Sequence, residues 1–261
     1  QRDCQLPTVL DANLGFFLGV YYADGSLIEI PESGDYRVSF TERNANRRQL
    51  VYTAAKALFG DRVKLGKENV VVSGKRVLDF LKEVGIAKYG QHKTIPDMVL
   101  TSPRDVVKAF IQGMFFDTHM SHGGFIFTNE NLEETPRILC LLNYFGIHGD
   151  IRPSKKKDRK GETDYVFITG QDAYAYIHEI GFIETAKAEK MKDFTFAFSA
   201  RGKHDTVPYA LSQAIFAAIK DSGVKGLSGF SYYGSFKQCL FKNLNTSRLG
   251  LLAFLQECLD I

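Results

Sequence analysis

The strongest hydrophobic pattern near the start of the chain is an apolar run over residues 16–23 that ends in Asp24 and Gly25. The run predicts a buried helix in which Gly19 and Ala23, four residues apart, lie on one face. Small side chains on that face would let a second helix approach closely. A helix end carries partial negative charge, so a carboxylate placed there usually needs a cation nearby.

A second copy of this pattern occurs 94 residues later, over residues 109–121. Other landmarks recur in the same order, because residues 39–41 match 126–128 and residues 58–60 match 144–146. Matched landmarks in one order indicate an internal duplication. Two copies are too few for a solenoid, so they predict two halves related by a pseudo-twofold axis.

Periodicity within the first half predicts alternating pairs of strands and single helices. Apolar and polar positions alternate over residues 27–40 and 63–72, which predicts two hairpins. Helical patterns over about 41–58 and 75–84 follow these hairpins. The second half repeats the order, so each half is predicted as helix, two strands, helix, two strands, helix.

The predicted fold class is therefore α+β, with two pseudo-symmetric αββαββα halves that form a β-saddle and a small, mostly helical C-terminal module. The N-terminal half spans residues 1–100, of which 1–12 are a lead-in, and the C-terminal half spans residues 101–196. The module covers residues 197–261. Its serine, tyrosine and lysine residues suit contacts to nucleic acid, and they suit other surface modules nearly as well.

Composition adds little to this prediction, except in the distribution of charge. The 261 residues are 44% apolar and 24% charged, and the net charge is only +3. Six of the ten residues in 152–161 are cationic, however, and this run lies in a predicted hairpin loop. Such a loop is either a solvated surface or a contact to phosphates, and the duplicated fold favours the phosphate contact.

The cysteines and the hydropathy profile exclude several classes of protein. The four cysteines lie far apart with no Cys-x-x-Cys pair, so neither a zinc site nor a disulfide framework is supported. No segment has the length or pattern of a membrane span or a signal peptide. We therefore expect an intracellular, cytoplasmic protein that does not bind a membrane.

The duplicated motif resembles that of the LAGLIDADG homing endonucleases. The first copy reads Phe-Leu-Gly-Val-Tyr-Tyr-Ala-Asp-Gly-Ser over residues 17–26, and Lys93-Thr94-Ile95-Pro96 before the second copy matches a Lys-x-Ile-Pro step of that family. The resemblance is closest to the single-chain type found inside inteins and covers about residues 7–194. It implies a monomeric, site-specific endonuclease that cuts double-stranded DNA at a long recognition site.

The pseudo-symmetry explains how such a protein would cut two strands. Two motif helices packed at the pseudo-dyad would bring Asp24 and Asp117 beneath the two scissile phosphates, where each would hold a divalent metal ion. Oxygen ligands beside phosphates favour Mg²⁺. The resemblance also implies a lysine near each site, for which we identify Lys93 and, in the second half, Lys190.

The candidate DNA contacts lie on the predicted strands and loops, because paired strands can read a major groove. Arg37 and Ser39 in one half, and Tyr165 and Phe167 in the other, are the candidates on strands. Sequence alone leaves open which face of the sheet they occupy. The cationic candidates of the basic loop are Lys155, Lys156, Lys157, Arg159 and Lys160.

The second motif departs from the first at its acidic position. Asp24 lies five residues after Gly19, but Thr118 lies five residues after Gly113, and Asp117 is one residue early. One residue corresponds to about 100° on a helix. Either the helix end is rewound so that Asp117 still reaches a metal ion, or the second half has lost its ligand. His119 is a further possible ligand, although a surface or DNA-facing histidine is the simpler interpretation.

We therefore expect a weaker second site. The alternative function is a cleavage-deficient, maturase-like protein that binds DNA or RNA without cutting it. An unrelated α/β protein whose duplication is purely structural is disfavoured by the repeated motif.

Overall fold

The computed structural model describes residues 6–86, 93–121, 124–129, 131–153, 164–192, 206–230, 233–242 and 246–259. The chain divides into two compact units, residues 1–194 and 195–261, close to the boundary expected after residue 196. In the described ranges, no helix is both long and apolar enough to cross a membrane.

The first unit consists of two halves with the same order of elements. The first half contains α1 (Ala12–Asp24), β1 (Gly25–Ile30), β2 (Asp35–Thr41), α2 (Ala45–Phe59), β3 (Val63–Leu65), β4 (Asn69–Ser73), α3 (Lys75–Val84) and α4 (Asp97–Leu100). The second half contains α5 (Arg104–Met114), β5 (His119–Ser121), β6 (Gly124–Asn129), α6 (Thr135–Asn143), β7 (Asp150–Pro153), β8 (Asp164–Thr169), α7 (Gly170–Glu179) and α8 (Thr185–Lys192). The short helices α4 and α8 are additions to the predicted pattern.

Each half forms one four-stranded antiparallel sheet, and the two sheets have identical topology. The strand orders are β1-β2-β4-β3 and β5-β6-β8-β7. In the first half, α2 and α3 pack against one face of the sheet, where Val38 and Phe40 are almost fully buried. The duplication predicted from the sequence is thus present in the fold.

The two motif helices α1 and α5 pack against each other along their length. A β-carbon added at Gly19 would overlap the carbonyl oxygen of Phe110, and one added at Gly113 would overlap that of Phe16. The two backbones are therefore in contact at both glycines. The pseudo-twofold axis relates the contact at Gly19 to the contact at Gly113. Gly15, one turn before Gly19, extends the contact.

The second unit is a small helical module with its own core. It contains α9 (Tyr209–Asp221), α10 (Tyr233–Phe241) and α11 (Arg248–Leu259), with the short paired strands β9 (Thr206–Val207) and β10 (Thr246–Ser247). The buried core consists of Ile219, Phe236, Leu251 and Phe254. Helix α10 is an addition to the prediction, and α11 coincides with the helix expected from the apolar spacing.

Replacing Gly19 with alanine tests the importance of the helix contact. The added methyl group must push the backbone of α5 away, so we expect the free energy of unfolding to fall by about 1–3 kcal/mol. The matched control is Gly234→Ala in α10, where a β-carbon would meet no atom. Alanine there should leave stability unchanged or raise it by up to about 1 kcal/mol. Urea denaturation of both variants measures the difference, and equal stability would show that the close contact is unimportant.

Candidate active site at the ends of the two motif helices

Asp24 is the last residue of α1 and is exposed to solvent. Next to it, the buried Lys93 reaches back from the end of the first half and caps the helix. Its Nζ donates hydrogen bonds to the carbonyl oxygens of Tyr21, at 3.1 Å, and Tyr22, at 3.3 Å. Both oxygens lie in the last turn of α1, where the Tyr21 carbonyl also accepts from the backbone N–H of Gly25. Lys93 thus adds a donor at the carbonyl end of the helix and brings a positive charge close to Asp24.

The environment of Asp24 disfavours its ionised form. Loss of hydration against the surrounding protein raises the pKa of Asp24, and the nearby negative charge of Asp117 raises it further, while Lys93 opposes both effects. Asp24 and Asp117 are therefore close enough to repel each other. A pair of carboxylates in this arrangement is stabilised by a cation bound beside them.

The second motif helix ends earlier and more tightly than the first. Helix α5 stops at Met114, whereas α1 continues to Asp24. In the following turn, the N–H of Phe116 donates to Gly113 at 3.2 Å and the N–H of Thr118 donates to Phe115 at 3.2 Å. These i to i−3 bonds wind the chain more tightly than an α-helix. The chain therefore needs one residue fewer between the motif glycine and the equivalent strand position in the second half than in the first.

Strand register shows which residue takes the place of Asp24. Ser26 pairs with Ser39, and His119 pairs with Ile126, which is the counterpart of Ser39 in the repeat. Asp24 and Asp117 each lie two residues before these positions. Asp117, not Thr118, is thus the structural equivalent of Asp24, so the correspondence based on residue offset is wrong.

Burial supports the same equivalence. Asp24 and Asp117 are both exposed, and the residues that follow them, Gly25 and Thr118, are both buried. The tighter winding after α5 therefore places an aspartate at the C-terminal end of each motif helix. The side chain of His119 lies outside the described part of the structure, so its possible role as a ligand stays a prediction.

Asp117 differs from Asp24 because it forms an ion pair across the interface between the halves. Arg47, near the start of α2, contacts the Asp117 carboxylate through Nη1. The Nε of Arg47 lies 3.1 Å from the Glu42 carboxylate, and the arginine side chain is only 18% exposed. Among the described residues, Asp24 forms no such ion pair. The two acids are equivalent in position but not in environment.

Lys187 is the lysine beside the second acid. Its Nζ donates to the carbonyl oxygens of Phe116, at 2.6 Å, and Thr118, at 3.2 Å, as Lys93 does at the end of α1. Burial lowers the pKa of Lys187, and the charge of Glu184 partly offsets this effect. Sequence analysis missed Lys187, although it lies 94 residues after Lys93, the same interval that separates the two motif glycines.

The prediction of Lys190 for this role is not tested, because its side chain lies outside the described part of the structure. Its helix, α8, is the one that carries Lys187.

The surroundings of the two acids differ in the side chains contributed from the starts of α2 and α6. Glu134 lies 87 residues after Arg47, the interval that also relates residues 39–41 to 126–128. Glu134 is buried and accepts a hydrogen bond from the backbone N–H of Ile95 at 2.6 Å. It thereby holds the segment that carries Lys93, whereas Arg47 at the equivalent place binds Asp117. Each half contributes one side chain to the other half's site.

The candidate DNA-contacting strand residues lie on the sheet faces away from the helices. Val38 and Phe40 point into the core, so Arg37 and Ser39 point outward, and Arg37 is paired with Asp35 at 2.7 Å. Val166 and Ile168 are buried in the same manner, which places Tyr165 and Phe167 outward. The cationic loop residues Lys155, Lys156, Lys157, Arg159 and Lys160 lie outside the described residues.

The donor atoms at the helix ends suit a hard divalent cation. The two carboxylates, Asp24 and Asp117, offer oxygen ligands only, which Mg²⁺ prefers. No group of three or more histidine, cysteine or acidic side chains placed to hold a metal ion occurs in the described parts of the chain. The protein would therefore supply few ligands, as in sites where Mg²⁺ keeps several water molecules and binds substrate phosphates.

Comparison with known proteins identifies the fold. No protein-family model matches the sequence. A DNA polymerase of Pyrococcus horikoshii is 23% identical over 200 residues, which make up 76% of this chain and 14% of the polymerase. The chain thus spans a small part of that relative.

Solved structures match the chain over most of their own length. The structure of I-DmoI in complex with DNA and Mn has a TM-score of 0.53 and 17% identity, over 66% of this chain and 98% of that chain. The homing endonuclease I-WcaI bound to its DNA recognition sequence has a TM-score of 0.50 and 14% identity, over 74% of this chain and 90% of that chain. I-DmoI structures with DNA have also been solved in the presence of Mg and with Ca.

These solved structures share with the chain a duplicated α+β fold, in which two glycine-packed helices accompany two four-stranded antiparallel sheets. More specifically, the chain has the fold of the LAGLIDADG homing endonucleases, which confirms the predicted fold class and the resemblance drawn from the two motifs.

We expect Mg²⁺ to stabilise the folded protein by binding at Asp24, so Asp24→Asn should remove most of that stabilisation. Without metal, the ionised Asp24 is unfavourable in the folded state because its pKa is raised, and this penalty is greatest at neutral pH and declines as the pH falls through the folded pKa. The variant should therefore melt at the same or a higher temperature in EDTA at neutral pH. Mg²⁺ at about 100 times its dissociation constant should stabilise the unmodified protein by about 2.7 kcal/mol.

Thermal melting with and without Mg²⁺ measures both effects. The matched control is Asp79→Asn, which changes an exposed acid paired with Lys75 and should keep the full metal-induced shift. An equal Mg²⁺ shift in Asp24→Asn and the unmodified protein would place the metal elsewhere.

Proposed function

We propose that the protein is a site-specific endonuclease of the homing type that hydrolyses both strands of a DNA duplex with a divalent metal ion, Mg²⁺. The observation that carries this proposal is the convergence of Asp24 and Asp117 just at or after the ends of two glycine-packed helices. Each acid has a lysine bound to nearby backbone carbonyls, the buried Lys93 or the half-buried Lys187. The two acids are related by a pseudo-twofold axis. The two scissile phosphates of a duplex are likewise related by the twofold axis of the DNA, so each acid can serve one phosphate.

The similar proteins support this proposal. I-DmoI and I-WcaI are described in complex with DNA, and I-DmoI also with divalent metals. The match to a small part of a DNA polymerase supports an intein-type segment carried within a host protein. Because both halves lie in one chain, the site requires no second copy, which favours a monomer.

The acids and the lysines at the site would have different roles in the hydrolysis. Asp24 and Asp117 would hold the metal, and Lys93 and Lys187 would add positive charge beside the scissile phosphates, where negative charge develops. A bound Mg²⁺ would polarise the phosphate and activate a water molecule. The carbonyl contacts of both lysines fix their position before DNA binds.

DNA recognition would use the outer faces of the two sheets. Arg37, Ser39, Tyr165 and Phe167 project there, on paired strands that suit a major groove. The cationic loop over residues 155–160 would contact phosphates, which adds affinity without sequence preference.

The second site would be the weaker one. The acid is present there, but Arg47 already neutralises Asp117, so a metal ion must compete with a charge-assisted contact that Asp24 lacks. This feature also favours the alternative function, a protein that binds nucleic acid in the maturase manner without cutting it. Cleavage assays distinguish the two.

A selection for cleaved molecules from a library of long random duplexes, in the presence of Mg²⁺, tests the main proposal and supplies a target site. On that target, Asp24→Asn should reduce cleavage by about 100-fold or more, because several kcal/mol of transition-state stabilisation is lost. Binding should remain within a few-fold, since the carboxylate is not a DNA contact. Specific binding without any cleavage by the unmodified protein would instead establish the maturase-like alternative.

The two strands should be cut at unequal rates, with the slower cut at the Asp117 site. Arg47→Gln removes the competing charge, so it should speed the slow strand and change the fast strand much less, because Arg47 is the last and smallest of the causes that shift the pKa of Asp24. Lys56→Gln is the matched control, because it removes another ion-paired cation from α2, far along the helix from Arg47. Strand-resolved cleavage with separately labelled duplex ends measures this. Equal rates in the unmodified protein would show that Arg47 does not impair the site.

A further inference from the structure

Helix α10 of the C-terminal module carries an exposed stripe that the module's own packing does not explain. Its inner face packs on the core through Phe236, whose ring centroid lies 4.9 Å from that of Phe254. The opposite stripe is exposed, with a spacing of three and four residues that places its members on one side of a helix. Its members are Gly234, Lys237, Gln238 and Phe241 of the helix and Lys242, which directly follows it.

Phe241 is the most informative member of this stripe. Its side chain is 87% exposed, more than any other large hydrophobic residue in the described parts of the chain. A phenylalanine held on the surface between lysines, at the end of a well-packed helix, suits contact with a partner rather than with water.

The charge of the module identifies a polyanion as that partner. Residues 195–261 contain seven lysine and arginine residues and four aspartate and glutamate residues, a net charge of +3, which equals the net charge of the whole chain. Residues 1–194 are therefore neutral overall. Helix α10 itself, Tyr233–Phe241, contains no acidic residue. A neutral catalytic unit joined to a basic module is the distribution expected if the module supplies non-specific attraction to DNA.

The shape and chemistry of the stripe then favour duplex DNA over an acidic protein surface. Nine residues at 1.5 Å per residue make a helix of about 14 Å, and its width with side chains matches the major groove of about 12 Å. Lysines contact phosphates or guanine, a glutamine amide can pair with adenine, and an aromatic ring can pack on a thymine methyl group. All three types occur on this one face.

We infer that the exposed face of α10 is a second DNA-contacting surface, separate from the sheets. Gln238 and Phe241 would face base edges, and Lys237 and Lys242 would face phosphates on either side. This inference deepens the proposed function and rests on it for the identity of the partner. The surface would add DNA contacts to those proposed for the sheets.

The double variant Lys237→Ala/Lys242→Ala tests the phosphate contacts in the full chain. Binding is measured with two probes, a duplex recovered by the cleavage selection and a random-sequence duplex of equal length. Affinity for both should fall about tenfold at moderate salt, and the slope of log affinity against log salt should fall by about two, one unit for each lysine. The control Lys56→Ala/Lys75→Ala removes the same charge from the first unit and should change affinity less than twofold.

Phe241→Ala tests base contact separately. It should lower affinity for the selected duplex several-fold and leave the random duplex unchanged. In addition, a photoreactive phenylalanine analogue at position 241 should crosslink to DNA, which requires no loss of function and no change in folding. Equal melting temperatures of all variants confirm that the module is intact.

Two results would overturn the inference. One is a salt slope unchanged by the lysine replacements together with no crosslink from position 241. The other is an altered sedimentation coefficient of Phe241→Ala without altered DNA affinity, which would assign the stripe to self-association. Binding to the random duplex needs no cleavage, so a protein that fails to cut DNA but shows the expected lysine effects refutes the proposed activity and not this surface.

Discussion

The contact between the backbones of α1 and α5 is the constraint on which the rest of the first unit depends. Gly19 and Gly113 allow each helix to touch the other where any side chain would separate them. Because each helix leads directly or through a short turn into the first strand of its sheet, the helix separation also fixes the distance between the sheets. The same contact brings the two acids close enough for the charge of Asp117 to raise the pKa of Asp24.

The charges around the two acids show how a duplicated fold becomes asymmetric without losing its architecture. Both aspartates occupy equivalent positions by strand register, and each has a lysine that donates to backbone carbonyls nearby. The difference lies at Arg47 and Glu134, one pair of repeat positions with opposite charge. Arg47 reaches across to an acid, whereas Glu134 reaches across to a backbone amide. A substitution at Arg47 would therefore act mainly at Asp117, which it contacts, although the arginine charge also lowers the pKa of Asp24.

Sequence patterns predicted the fold well because its main signals are local and repeated. The alternating strands, the motif glycines and the final helix over residues 248–259 all follow from short-range periodicity. The equivalence of Asp24 and Asp117 could not be predicted in this way. The turn after α5 is wound with i to i−3 bonds and is one residue shorter, which the residue offset from Gly113 does not reveal. The ion pair between Arg47 and Asp117, 70 residues apart, depends on packing between halves and has no sequence signal. Lys187 did have a sequence signal, because it lies 94 residues after Lys93, the interval between the two motif glycines.

The reciprocal reach of Arg47 and Glu134 has a consequence for any attempt to simplify the protein to one half. A homodimer of the first half would keep the glycine contact and two copies of Asp24. It would also place an arginine beside each acid and would lack the glutamate that holds the segment carrying Lys93. A homodimer of the second half would lack Arg47, and its Glu134 would lose the backbone N–H of Ile95 that it binds in this protein. The two halves therefore supply different side chains to the paired sites, and a dimer of either half alone would lack part of the set.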